Sequence, residues 1–302
     1  MAVHEVERDL FLVDLDLPGL EGFRQFLSAW VLRNGNRAVV VDPGPAAAIP
    51  ALREALAALG VERLDAVLLT HIHIDHAGGA GLLVREQPDA TIVCHRRGAP
   101  HLADPTALWD GSRKVLGRLA EAYGPIAPVP PGNLSSPDEL EAGGFRIQCL
   151  ETPGHAPHHL AFRAGPWLFV GELAGVRAPG PGADCWRPAT PPPFRHDVYR
   201  ESLARARELG GELACLGHYG AVPDPDGILA AAGEQLDRWV EVVRAHRRLE
   251  GPAFEDAVFR ELLRTDPRFA PFASLPEDVR ERERYFFGNT LKGLRGWVER
   301  AG

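Results

Sequence analysis

The chain has 302 residues, with 33 Lys and Arg against 41 Asp and Glu, a formal net charge of −8, and 45% hydrophobic and 25% charged residues. Those proportions suit one large α/β domain or two modest ones, and they exclude a collagenous, disordered or disulfide-rich chain. The acidic balance, with no basic stripe, disfavours a nucleic-acid partner, because clustered Lys and Arg carry phosphate contacts.

The first ten residues include His4, Glu5, Glu7, Arg8 and Asp9, so the apolar core of a secretory signal is not expected there. No run of the chain reaches the length of a membrane helix. Cys94, Cys149, Cys185 and Cys215 form no Cys-x-x-Cys pair and read as reduced, mostly buried thiols of a cytoplasmic protein. Strands are expected over 11–14, 28–32 and 38–41. The last two are joined through Asn34-Gly35, a hairpin signal because both residues tolerate positive φ. After Asp42-Pro43-Gly44-Pro45 an alanine-rich helix over 46–59 is closed by Gly60. The continuous apolar run over 65–70 reads as a strand buried on both faces, followed by a helix over 78–85 and a strand over 90–94. Residues 125–137, rich in Pro and Gly, read as a surface loop. Strands then follow over 145–151, 159–163 and 167–170, a second proline-rich loop over 178–194, a helix over 196–209 and a strand over 213–216. Beyond Pro225 only helical periodicity is found, over 228–249, 253–264 and 276–299. The organisation read from this order is a mixed α/β body over 1–222 and a helical segment over 223–302 packed on it. The second is expected to border the substrate entrance.

Directly after the run over 65–70 comes Thr70-His71-Ile72-His73-Ile74-Asp75-His76-Ala77-Gly78-Gly79. On a helix, positions 71, 73 and 76 would point three ways. In extended chain His71 and His73 project to one side, and a turn can bring Asp75 and His76 back beside them. Three imidazoles and a carboxylate within six residues suit a borderline divalent metal such as zinc.

This His-x-His-x-Asp-His run followed by Gly-Gly resembles the metallo-β-lactamase superfamily of metal-dependent hydrolases, which includes glyoxalase II-like thioesterases. The resemblance extends to Thr152-Pro153-Gly154-His155, Val170-Gly171-Glu172-Leu173 and Gly217-His218-Tyr219-Gly220, each after an expected strand and in the family's order, so that it covers about residues 10–220. It implies an α/β (α+β) chain in a four-layer αββα sandwich over 1–222, with a C-terminal helical extension. It implies two divalent ions, zinc first and iron or manganese as alternatives. His71, His73 and His155 would hold one; Asp75, His76 and His218 the other, with Glu172 between them. Asp42 and Thr70 would stand behind the ligands and order the metal loop by hydrogen bonds. The family usually has aspartate where this chain has Glu172, and the longer side chain leaves bridging and metal identity open. The oxygen-reducing di-iron branch typically has an acid where His73 stands, so hydrolysis is favoured.

The expected reaction is attack by a metal-bound hydroxide on a small ester, thioester or lactone, with Asp75 among the catalytic residues. A nuclease acting on RNA and a non-catalytic metal-binding protein are the alternatives. The expected partner is a small-molecule substrate, without a membrane, and a homodimer is left open. Arg177, Arg187 and Phe194, in the loop after Glu172, and Tyr219, after His218, are the candidate substrate contacts. His95, His101, His158 and His159 read as loop and strand-end residues outside the ligand set.

Overall fold

The computed structural model describes residues 2–17 and 19–301. The first sheet is built from Val3–Glu7 (β1), Leu10–Asp14 (β2), Ser28–Asn34 (β3), Arg37–Val41 (β4), Arg63–Leu68 (β5), Thr91–Val93 (β6) and Leu134–Ser135 (β7), in that spatial order. Its first four strands pair antiparallel and its last four pair parallel. Parallel neighbours need crossovers, and helices supply them. Ile49–Ala58 (α1) joins β4 to β5. Ile74–Ala77 (α2) and Ala80–Glu86 (α3) join β5 to β6. Ala99–Ala103 (α4), Thr106–Leu116 (α5) and Arg118–Tyr123 (α6) precede β7.

The second sheet contains Glu139–Ala142 (β8), Phe145–Glu151 (β9), Leu160–Ala164 (β10) and Trp167–Gly171 (β11). Beyond a small ribbon of Val176–Ala178 (β12) and Cys185–Arg187 (β13), the helix His196–Leu209 (α7) leads to its last strands, Leu213–Leu216 (β14) and Ala221–Pro223 (β15). The order is β15-β14-β11-β10-β9-β8, and only β11 and β14 run parallel. The chain ends in Pro225–Ala245 (α8), Gly251–Thr265 (α9) and Glu277–Ala301 (α10).

Side-chain alternation explains why these strands read as unbroken apolar runs. Leu10, Leu12, Trp30, Leu32, Val39 and Val41 point between the sheets and meet Ile147, Phe162 and Phe169. Their alternate neighbours Phe11, Val13, Ala29, Val31, Ala38 and Val40 pack outward against the helices of the first sheet. On the second sheet Leu168, Val170, Ala214 and Leu216 point outward and share a core with α7 to α10. The order of layers is therefore helix, sheet, sheet, helix. The C-terminal helices do more than extend the body, since they complete its fourth layer. No helix among the described residues is long and apolar enough to cross a membrane.

Local expectations change in several places. The stretch 125–137, expected as a surface loop, buries Ile126, Ala127 and Val129 and contributes Leu134–Ser135 as β7 beside β6. In the first hairpin Asn34 pairs with Arg37, so the turn is Gly35-Asn36, and Gly35 at φ 63° takes the strained position. The proline-rich stretch 178–194 contributes β13 to a two-stranded ribbon. Helix α8 starts at Pro225 rather than 228, because Asp224 caps it by accepting from Gly227 N–H at 3.0 Å with proline at the first turn.

Candidate metal centre

The candidate ligands lie at strand ends on one rim of both sheets. The first sheet supplies the stretch after β5: extended chain carries His71 and His73, and α2 turns Asp75 and His76 back beside them. The second sheet supplies His155 after β9, Glu172 after β11 and His218 after β14. Donor atoms of His71, His73, His155 and Glu172 lie within 4.8 Å of one another, as do those of Asp75, His76 and His218. Glu172 faces both groups. Its Oε2 is 2.8 Å from His155 Nε2, 3.3 Å from His71 Nε2 and 3.7 Å from His76 Nε2, and its Oε1 is 3.3 Å from His218 Nε2.

The far nitrogen of four rings is already committed. His71 Nδ1 lies 3.0 Å from Thr70 Oγ1 and His76 Nδ1 3.2 Å from an Asp42 oxygen. His155 Nδ1 meets the Ala189 carbonyl at 3.1 Å and His218 Nδ1 the Phe26 carbonyl at 3.2 Å. Carbonyl and carboxylate acceptors put the proton on Nδ1 and leave the Nε2 lone pair facing the centre. His73 uses its other nitrogen, Nδ1, which stands 2.9 Å from His155 Nε2. His71 Nε2 and His76 Nε2 are buried without a hydrogen-bond partner. Converging imidazole lone pairs and orphaned ring nitrogens around a carboxylate are what a divalent cation would satisfy, so the residues fit the metals the fold implies.

Electrostatics support that fit at His71, His73 and Glu172, whereas His76 would have to give up a proton to a metal. Burial, then the neighbouring His76 and His73, keeps His71 well below its ordinary pKa. Burial and His155 lower His73 to about 4. Both rings are thus neutral at pH 7, the form a metal needs. His76 goes the other way, to about 9: burial opposes its charge, but Asp75, Asp42 and Glu172 outweigh it. Burial opposes ionisation of Glu172 too, yet His155 and His218 hold it well below the usual carboxylate range.

Asp42 and Thr70 stand directly behind these ligands. Asp42 accepts from Thr70 N–H at 2.8 Å and Thr70 Oγ1 at 2.6 Å, and it sits at φ 49°. His159, set aside in the sequence, holds Glu172 in place: its Nε2 accepts from Glu172 N–H at 3.3 Å, and its Nδ1 pairs with Thr152 Oγ1 at 2.8 Å. The Tyr199 hydroxyl donates to the Glu172 carbonyl at 2.9 Å. Two of the expected substrate contacts are placed elsewhere. Phe194 is fully buried against Tyr199 and Trp297, and Arg187 is buried in an ion pair with Glu283 at 2.6 Å, so neither lines an open loop pocket. Arg177 pairs with Asp184 at 2.7 Å, and its guanidinium lies against Gly220. Tyr219, at φ 51°, accepts at its hydroxyl from Gln25 Nε2 at 3.2 Å.

Comparison with known proteins agrees with this geometry. Residues 24–218 match the pattern of the family described as the metallo-beta-lactamase superfamily. The chain is similar to metallo-beta-lactamase fold-containing protein ST1585 of Sulfurisphaera tokodaii, 31% identical over 169 residues, 54% of this chain and 63% of that protein. It is similar to a hydroxyacylglutathione hydrolase of Aeromonas hydrophila, 32% identical over 147 residues, 47% of this chain and 44% of that enzyme. The matches thus span between about half and two thirds of these relatives' lengths. In three dimensions the crystal structure of ST1585 from Sulfolobus tokodaii superposes with a TM-score of 0.69 at 24% identity, covering 94% of this chain and 98% of that one. The fold is the same.

Proposed function

The chain belongs to the metallo-β-lactamase superfamily, and we propose that it is a two-metal hydrolase of a small ester, thioester or lactone. The observation that carries this reading is the pair of donor sets converging on Glu172, with two buried imidazole nitrogens left unpaired. His71, His73 and His155 would hold one ion, and Asp75, His76 and His218 the other. Divalent ions there would polarise a carbonyl and make water a nucleophile near neutral pH.

The remaining roles fall to the chain itself. Hydrogen bonds from Nδ1 of His71, His76, His155 and His218 hold those rings in one tautomer and one orientation. Glu172 balances charge between the two sets. Asp75 is the more open of the two carboxylates, with its side chain 16% exposed against 7% for Glu172, and it would take the proton the attacking water gives up. A carbonyl rather than a phosphodiester is favoured by the net charge of −8 and by relatives named as hydroxyacylglutathione hydrolases. The four unpaired cysteines fit a reducing compartment such as the cytoplasm.

The test is a panel of thioesters, esters, lactones and single-stranded RNA, offered to protein loaded with zinc, iron or manganese. Metal-dependent turnover of a carbonyl substrate, lost in His155→Ala, is expected. Cleavage of RNA alone would overturn the carbonyl assignment. Retained metal without turnover of anything in the panel would overturn the enzyme reading.

A further inference from the structure

The first set of candidate ligands has an open side, and a histidine outside that set stands on it. His71 and His155 are buried, whereas His73 is only half-buried, so this set is reached from solvent past the His73 ring. His158 is half-buried too. Its ring centre lies 5.8 Å from that of His73, at 87° to it, and 6.4 Å from that of His71, within 10° of parallel.

The other histidines of this corner are fully committed. His159 spends both nitrogens, on Thr152 Oγ1 and on Glu172 N–H. His95 also spends both: Nδ1 accepts from Arg97 N–H at 3.0 Å, and Nε2 faces Glu151 at 3.2 Å. His158 spends one. Its Nδ1 accepts from Ile72 N–H at 3.4 Å, and Ile72 lies between His71 and His73, so the bond ties this ring to the ligand stretch itself. A backbone N–H can only donate, so Nδ1 carries the lone pair and the proton of the neutral ring sits on Nε2. Among the described residues Nε2 has no hydrogen-bond partner, and unlike His71 Nε2 and His76 Nε2 it is not closed off from solvent. The result is a neutral N–H donor with no acceptor of its own, held beside the centre on its open side.

We propose that His158 is a catalytic residue of the hydrolysis, its Nε2–H donating to the substrate's carbonyl oxygen as that oxygen gains charge. The proposal rests on the hydrolase reading and adds a protein donor to it. In the step, the water oxygen bonds to the carbonyl carbon, one water proton passes to Asp75, and the π pair moves onto the carbonyl oxygen, where Nε2–H meets it. When that pair returns, the carbon–sulfur or carbon–oxygen bond breaks. The leaving group keeps the pair and takes the proton from Asp75. His158 keeps its own proton throughout, so it stabilises charge without acting as acid or base. A fixed donor aimed at developing charge needs no reorganisation at the moment of reaction, and a neutral one adds no repulsion beside divalent ions.

The test compares His158→Leu, which removes the donor, with His158→Gln, whose amide N–H can reach about as far as Nε2. On a thioester turned over by wild type, kcat is expected to fall about 10²–10³-fold in His158→Leu with little change in KM, the size of one such donor, and His158→Gln should recover about tenfold of the loss. Both variants should match wild type in zinc content and melting temperature. Two further readouts need no turnover. Butylphosphonate, which copies the charged tetrahedral carbon, should bind His158→Leu about tenfold more weakly than wild type. Nitrogen NMR of the unloaded wild type should find His158 protonated on Nε2 and bare on Nδ1. A kcat in His158→Leu within about threefold of wild type, or equal butylphosphonate affinities, overturns the donor role. Loss of zinc in both variants overturns it as well, by making the ring a ligand, and a proton on Nδ1 removes the tautomer it requires. If wild type turns over no ester or thioester, the hydrolase reading fails, and the phosphonate comparison still decides the donor.

Discussion

Asp42 offers the sharpest test of how this centre is held, because its two oxygens have different duties. One accepts from Thr70 N–H at 2.8 Å; the other accepts from Thr70 Oγ1 at 2.6 Å and faces His76 Nδ1 at 3.2 Å. In Asp42→Asn the Thr70 N–H keeps the amide oxygen in the first position, so the amide NH2 is presented to His76 Nδ1–H. Donor then meets donor. The ring can escape only by moving its proton to Nε2, the atom that faces the metal position. Loss of such an orienting partner typically weakens metal binding about 10–100-fold, or ~1.4–2.8 kcal/mol. Asparagine tolerates the φ of 49° at this position, so the substitution isolates the hydrogen bond. Asp42→Ala adds backbone strain and at least one buried unpaired donor, at about 1–3 kcal/mol for the donor. Zinc titration against a competing chelator, with stoichiometry from elemental analysis, measures the effect. An Asp42→Asn protein that binds zinc within twofold of wild type would refute the tautomer argument.

Glu172→Gln keeps the shape of the side chain and removes its charge; loss of the second ion and of most turnover is expected, whereas Glu172→Asp should retain metal. Full turnover with two ions in Glu172→Gln would remove this residue from the ligand set. In Gly171→Ala the new Cβ would stand 2.5 Å from His159 Nε2 at a backbone φ of 52°, so thermal unfolding should show a loss of about 1–3 kcal/mol together with weakened metal retention. Glu283 has its carboxyl pKa lowered, since Arg187 and Arg282 outweigh the opposing effect of burial. A depressed folded-state pKa contributes stability above the unfolded value, about 4.3, and loses it as pH falls through the folded value. Glu283→Gln should therefore cost about 3 kcal/mol at pH 7 and progressively less below about pH 4, as read from denaturant melts. A chain ended before Asp224 would uncover Leu168, Val170 and Leu216 and should not give a cooperative melt.

The side chains that the structure gathers into one centre were legible as candidate ligands because metal chemistry is written in side-chain identity and spacing. The atoms that orient those ligands were not. His155 and His218 are held by the carbonyls of Ala189 and Phe26, and a carbonyl gives no hint in the sequence of what it will accept. His159 was set aside because it stands at a strand entrance, and that entrance is what delivers its ring to Glu172 N–H. Strands buried on both faces were read to within two residues for the same reason that they are buried: apolar runs without alternation. The region of α4 to α6 gave no such signal, and α5 contains no fully buried residue. Arg187 and Phe194 were misplaced because a proline-rich stretch reads as surface. What buries them is α10, about a hundred residues later, through Glu283 and Trp297.

The same distance effect hid the role of the last three helices. Helical periodicity past Pro225 states that each helix has an apolar face, but not which surface that face covers. The covered surface is the outer side of β11 and β14, the strands whose ends carry Glu172 and His218. The other candidate ligands hang from the first sheet, through the stretch after β5, and from the end of β9. On the proposed reading, metal loading would tie the two sheets together at one rim, while α10 supports the same rim from outside through Arg282 on Phe26. Binding that requires the folded geometry adds RT ln(1 + [L]/Kd) to stability, about 4 kcal/mol at a thousandfold excess over Kd. That gain is comparable to breaking one buried ion pair such as Arg187 with Glu283. A loaded centre and the fourth layer would thus stabilise the same strand ends from opposite sides, and loss of either should loosen the grip of the other.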